Sequence, residues 1–114
     1  MEKTIKIPDS DKVIGGEDVF FIAEIGKGFI QTKEDRPVSE YLENAKQLAT
    51  AAVEAGADAV KFQTHIREDE VLDIDFTSPH FTGSDRYSWV GRNEAATPYE
   101  EFWKPLKAHC DELG

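Results

Sequence analysis

The sequence predicts an α/β fold, and three consecutive segments carry that prediction. Val19-Phe20-Phe21-Ile22-Ala23-Glu24-Ile25-Gly26 is a nearly continuous apolar run ended by glycine, the composition of a strand buried on both faces of a parallel sheet. From Val38 the apolar positions Tyr41, Leu42, Ala45, Leu48, Ala49, Ala52 and Ala55 recur at helical spacing, with Glu40, Glu43, Lys46, Gln47 and Glu54 on the other face. Ala57-Asp58-Ala59-Val60-Lys61-Phe62-Gln63-Thr64 then reads as a second strand. Strand, helix and strand joined by short turns make a βαβ unit over residues 18–64, whose right-handed crossover leaves the two strands parallel neighbours.

The remaining elements rest on local signals. Thr4-Ile5-Lys6-Ile7 alternates as a strand does, Pro8 to Lys12 has turn composition, and Val13-Ile14 before Gly15-Gly16 returns, so residues 1–17 form a small hairpin. Pro37 and Gly56 bracket the helix at the positions where those residues favour helix termini. Residues 65–96 read as a long irregular connection, acidic first (Glu68, Asp69, Glu70, Asp73, Asp75) and then aromatic (Phe76, Phe81, Tyr87, Trp89), and the aromatics favour an ordered loop. Thr97-Pro98-Tyr99-Glu100 has the pattern of a capping box with proline at the first helical position, so a helix covers 97–113, with Phe102, Leu106, Cys110 and Leu113 as its apolar stripe. Pro105 lies inside it and bends it. Gly114 is the residue at which a helix cap leads into a further strand, so the chain is expected to be the first part of a longer domain.

Composition removes several classes of function. With 114 residues and 39% hydrophobic content, the chain has apolar material for one modest core. Its formal charge of −10 repels phosphate backbones and anionic lipid, so nucleic acid and membrane surfaces are not expected partners. No apolar run approaches the roughly 20 residues of a spanning helix, and the charged start Met1-Glu2-Lys3 has no apolar signal core; a cytoplasmic location is expected. Cys110 is the single cysteine, which leaves no intrachain disulfide and no thiolate-rich metal site, and it reads as a small buried hydrophobe.

Chemistry concentrates at the ends of the two strands. Ala59, Lys61 and Gln63 share one face of the second strand, while Val60 and Phe62 share the other. An ammonium beside an amide donor is a receptor for a carboxylate or phosphate, and Glu24 at the corresponding end of the first strand adds an acceptor for sugar hydroxyls. A buried ion pair between Glu24 and Lys61 that binds nothing explains the same residues, and spacing does not choose between the two. Of the three histidines, His109 reads as a packing residue and His80 as a loop residue. His65, just beyond the second strand, is placed to reach substrate, with a loop-anchoring hydrogen bond as its other role. The acidic run from Glu68 to Asp75 lacks the turn glycine of a calcium loop and reads as a solvated or lysine-paired segment. Tyr87, Trp89, Arg92 and Asn93 either close over a pocket or anchor the loop, and anchoring is the expectation.

Three blocks, Phe21 to Gly26, Ala51 to Thr64 and His65-Ile66-Arg67-Glu68-Asp69-Glu70, resemble in order and spacing the opening part of the sialic acid (N-acetylneuraminate) synthases. The resemblance implies the N-terminal portion of a (β/α)8 barrel, incomplete in this chain, with the hairpin closing its floor and residues 65–96 on its active-site face. It implies a synthase that joins phosphoenolpyruvate to an N-acetylated amino sugar of the N-acetylmannosamine type, giving a nonulosonic acid and phosphate. Lys61 and Gln63 match the lysine and glutamine that bind phosphoenolpyruvate, and Glu24 matches the catalytic-site glutamate on the amino-sugar side. The resemblance further implies a divalent metal, typically Mn²⁺, that polarises the sugar aldehyde, with ligands on later strands, and a homodimer for the full-length enzyme. After Gly26 the chain departs from the family, replacing a short turn with an Asn-His pair by the longer Lys27 to Arg36, which leaves the sugar's identity open. The competing expectations are a noncatalytic binding or assembly module derived from the barrel, and another phosphoenolpyruvate-using or aldolase-like barrel.

Overall fold

The structure, a computed structural model, describes residues 3–74, 77, 79 and 85–114. Asp75, Phe76, His80 and Phe81 of the expected loop lie outside the described residues. The fold is mixed α/β. Strands β1 (Ile5–Lys6) and β2 (Val13–Ile14) pair antiparallel as the expected hairpin, and β3 (Ile22–Gly26) pairs parallel with β4 (Ala59–Phe62), the two being joined through the helix α1 (Val38–Glu54). Gly56, at φ +98, turns the chain out of α1 in the left-handed conformation that glycine adopts without penalty. The hairpin is tied to the start of β4, because Lys12 Nζ donates to the Asp58 carbonyl at 2.6 Å while the Asp58 carboxylate accepts from Phe21 N–H at 2.8 Å.

The core lies on one side of the two-stranded sheet. α1 packs Tyr41, Ala45 and Ala49 inward, and the alanines let the neighbouring segment approach closely. Phe29, from the turn after β3, and Phe102 fill the centre with ring centroids 4.8 Å apart, and Phe62 and Trp103 close around them. Burying each such ring stabilises the fold by about 1.5–3 kcal/mol. Cover is incomplete among the described residues: within β3 Ile22 is 57% exposed on the face it shares with Glu24, and Val19 and Phe21, just ahead of the strand, are 71% and 62% exposed, so the run expected to be buried on both faces is not. Its composition suits a sheet with further layers and neighbours, and two strands with one helical layer cannot supply them.

The segment expected to be irregular contains two helices, α2 (Arg67–Glu70) and α3 (Arg86–Ala95). Asp85 caps α3, its carboxylate accepting from Ser88 N–H at 2.8 Å. The expected capping box at Thr97 serves the preceding helix instead. Thr97 Oγ1 donates backwards to Asn93 O at 3.1 Å, satisfying a free carbonyl at the end of α3, and no side chain caps the helical turn that begins at Tyr99. That turn is π-helical, Tyr99–Trp103, and leads into α4 (Lys104–Leu113). Pro105 accounts for this: lacking an N–H and crowding the preceding turn, it favours a local widening in which Lys104 N–H bonds to Tyr99 O. His109 bonds Thr50 across the α1–α4 contact at 3.0 Å, the packing role expected of it. Cys110 packs against the core, and burial pushes its thiol above the usual range.

Candidate functional site

The candidate site is built where β3 and β4 end. Glu24 lies opposite Lys61 in the parallel register, and the next pair is Gly26 opposite Phe62, so Ile25 is an extra residue bulged from β3. Gly26 closes the bulge at φ +61, and its carbonyl accepts from Gln63 N–H at 2.9 Å. A side chain at Gly26 would meet Glu24 Oε1 at 3.4 Å and Gln63 Oε1 at 3.6 Å, so the glycine is the floor on which these two polar groups converge. Lys61 Nζ reaches Glu24 Oε2 at 2.9 Å.

The structure thus brings Glu24, Lys61 and Gln63 together, but not in the buried setting expected of them. The Lys61 and Glu24 side chains are 64% and 48% exposed. An ion pair so open to water contributes about 0–1 kcal/mol. Pairing with Glu24 also leaves the Lys61 ammonium with N–H donors to spare, since it carries three. The constellation can offer an anion an ammonium and an amide, and a hydroxyl a carboxylate acceptor.

His65, two residues beyond Gln63 in the chain, has a side chain only 13% exposed. Its Nδ1 faces the Glu70 carboxylate at 3.1 Å, and Glu70 also accepts from Ile66 N–H at 2.9 Å, so the histidine anchors the start of the loop. A carboxylate only accepts, so Nδ1 is the donor, and in the neutral ring Nε2 is an acceptor; this buried nitrogen has no hydrogen-bond partner among the described residues. The ring meets Trp89 of α3 edge-on, with centroids 6.0 Å apart. On Trp89 rests the Lys27 ammonium, 2.8 Å from the ring centroid. Burial and the nearby Arg86 charge lower the Lys27 pKa from its ordinary value. Sequence reasoning passed over Lys27, although a lysine directly after a strand-ending glycine was the available signal.

Tyr87 and Arg92 anchor the loop, as expected, whereas the buried Asn93 Nδ2 has no hydrogen-bond partner among the described residues. Arg92 donates to Asp35 at 2.6 Å and to the Thr32 and Glu34 carbonyls, fastening the segment after β3 to α3. Arg36, Arg67 and Arg92 line one depression of about 420 Å³, and each already meets a carboxylate, Glu40, Glu68 and Asp35 respectively. Arg67 also stacks on Tyr87 with its guanidinium carbon 4.3 Å from the ring centroid. In the acidic run Asp69 and Asp73 are solvated, as one of the two expectations had it, while Glu68 accepts from Tyr87 and Arg67 and Glu70 holds His65, so the partners are not lysines. Among the described residues no three His, Cys, Asp or Glu side chains gather in metal-binding geometry, and no helix is long and apolar enough to cross a membrane.

Comparison with protein-family models, curated proteins and solved structures finds no match to this chain.

Proposed function

We propose that this chain is the N-terminal segment of a (β/α)8 barrel synthase that condenses phosphoenolpyruvate with an N-acetylated amino sugar to give a nonulosonic acid and phosphate. The observation that carries the reading is the convergence of Glu24, Lys61 and Gln63 around Gly26 at the carboxyl ends of adjacent parallel strands. Ligands of parallel α/β sheets bind at those ends. The hairpin fits the same picture, being fastened at the amino end of β4 through Asp58, on the side away from the candidate site.

In this reading Lys61 and Gln63 bind phosphoenolpyruvate, and Glu24 accepts a hydrogen bond from the amino sugar. His65, two residues beyond Gln63 and held at Nδ1 by Glu70, is the remaining candidate for a substrate contact in this reading. Carbon 3 of phosphoenolpyruvate attacks the open-chain aldehyde, water adds at carbon 2 and phosphate departs. The Mn²⁺ that the resemblance implies would supply Lewis-acid polarisation of the aldehyde. Its ligands would come from outside the described residues, which gather no such set.

The decisive assay measures phosphate release from phosphoenolpyruvate and N-acetylmannosamine by the polypeptide carrying this segment in its complete reading frame. Lys61→Ala is expected to raise the apparent KM for phosphoenolpyruvate by at least about tenfold, the worth of one charge-assisted hydrogen bond, with little change in that for the sugar. Equal effects on both substrates, or none, would remove Lys61 from the site.

A further inference from the structure

We propose that Lys27 is a second cationic contact for the anionic substrate, its ammonium held on the Trp89 ring beside the site and transferred from that ring to the bound anion. The proposal rests on the reading of Lys61 and Gln63 as an anion receptor, and extends that receptor to the loop after β3.

Position is the first argument. Lys27 directly follows Gly26, the residue bordered by the Glu24 and Gln63 side-chain oxygens, so its backbone is part of the rim of the same site. The next turn is closed by Gly28 N–H on Ile25 O at 3.0 Å and Ile30 N–H on Lys27 O at 3.0 Å, which fixes the backbone while leaving the long side chain to move. Charge is the second argument. Acidic residues outnumber basic ones by 23 to 13, yet Lys27 makes no ion pair among the described residues, whereas Lys61, Arg67 and Arg92 all do. Its neighbours are instead an aromatic face and the like charge of Arg86. A cation that is partly desolvated, repelled by another cation and held only by a ring gains more from an anion than one already paired with a carboxylate.

Trp89 stands on α3 with His65 against its edge, and His65 is fixed by Glu70, so the platform carrying Lys27 is braced by the loop that leaves β4. Both strand-end loops therefore meet at one aromatic residue. When the ammonium moves to a ligand held by Lys61 and Gln63, the ring loses a cation 2.8 Å from its centroid, which changes the environment of the indole.

The test is a titration of phosphoenolpyruvate into the full chain, read by the indole N–H resonances, with Trp89 told from Trp103 by a Trp103→Phe variant. Saturable movement of the Trp89 resonance is expected. Lys27→Gln should weaken binding by at least about tenfold and Lys27→Arg should restore most of it, because a charge and not a packing role is at stake. Inorganic phosphate and pyruvate, titrated separately, identify which end of the ligand Lys27 meets; movement of Trp89 by either supports the proposal. If Lys27→Gln binds phosphoenolpyruvate as tightly as the wild type while Lys61→Ala does not, the proposal fails and the receptor reading stands. If neither substitution matters, or the wild-type chain shows no saturable binding, both fall.

Discussion

Gly26 is the residue on which the candidate site turns. It ends β3, closes the bulge left by Ile25 and leaves the space bordered by Glu24 and Gln63. Its φ of +61 costs a residue with a Cβ about 1–2 kcal/mol. Gly26→Ala is therefore expected to lower stability by about that amount, through backbone strain and not through a clash with Glu24 or Gln63. Urea unfolding measures the effect, and an unchanged midpoint would show that the left-handed turn is not kept in solution. The exposed Glu24–Lys61 pair adds little to stability, about 0–1 kcal/mol.

At the scale of elements, α3 and the π-helical turn are where local signals and structure part. α3 holds only Val90 and Asn93 buried and carries Gly91 at its middle, so it has no apolar stripe for a periodicity argument to find. A Cβ at Gly91 would come within 2.5 Å of Arg67 Nη1, so a larger residue there would displace the Arg67 guanidinium. The start of α3 depends on Asp85, whose pKa is depressed mainly by the hydrogen bond from Ser88 N–H. A depressed carboxyl pKa means that the charge-dependent stabilisation is present above the ordinary value of 3.8 and is lost as pH falls through the lower folded value. Thermal melts of wild type and Asp85→Ala should thus differ at neutral pH and converge in acid; a gap that persists at the lowest pH would assign the effect to something other than the charge. In the core, Phe102→Ala removes a fully buried ring and should cost about 3–5 kcal/mol, readable by denaturant unfolding. A smaller loss would mean that Phe29 and Trp103 collapse into the space.

For the whole molecule the governing fact is uncovered apolar surface. The radius of gyration is 16.7 Å, against roughly 13 Å for a compact domain of this length. Among the described residues β3 and β4 form a sheet of two strands, each with an open edge, and Val19, Phe21 and Ile22 are exposed to solvent. The full chain is expected to self-associate as its concentration rises, and Phe21→Lys with Ile22→Lys to reduce this, as sedimentation velocity would report. A monodisperse monomer that melts cooperatively at high concentration would refute the expectation.

Short-range patterning was enough to specify the βαβ unit, the hairpin and the grouping of Glu24 with Lys61 and Gln63 at the strand ends. Each is written in periodicity and in glycine and proline punctuation, which act through neighbouring residues. Packing settled that Lys61 is open to water, that Phe29 is core, that Thr97 caps the helix behind it, and that Lys27 rests on Trp89. Those outcomes depend on which distant segments meet, since burial and charge environment are properties of neighbours in space. The exposed strand shows the difference most plainly: its apolar composition calls for cover on both faces, and only the packing reveals that the cover is incomplete.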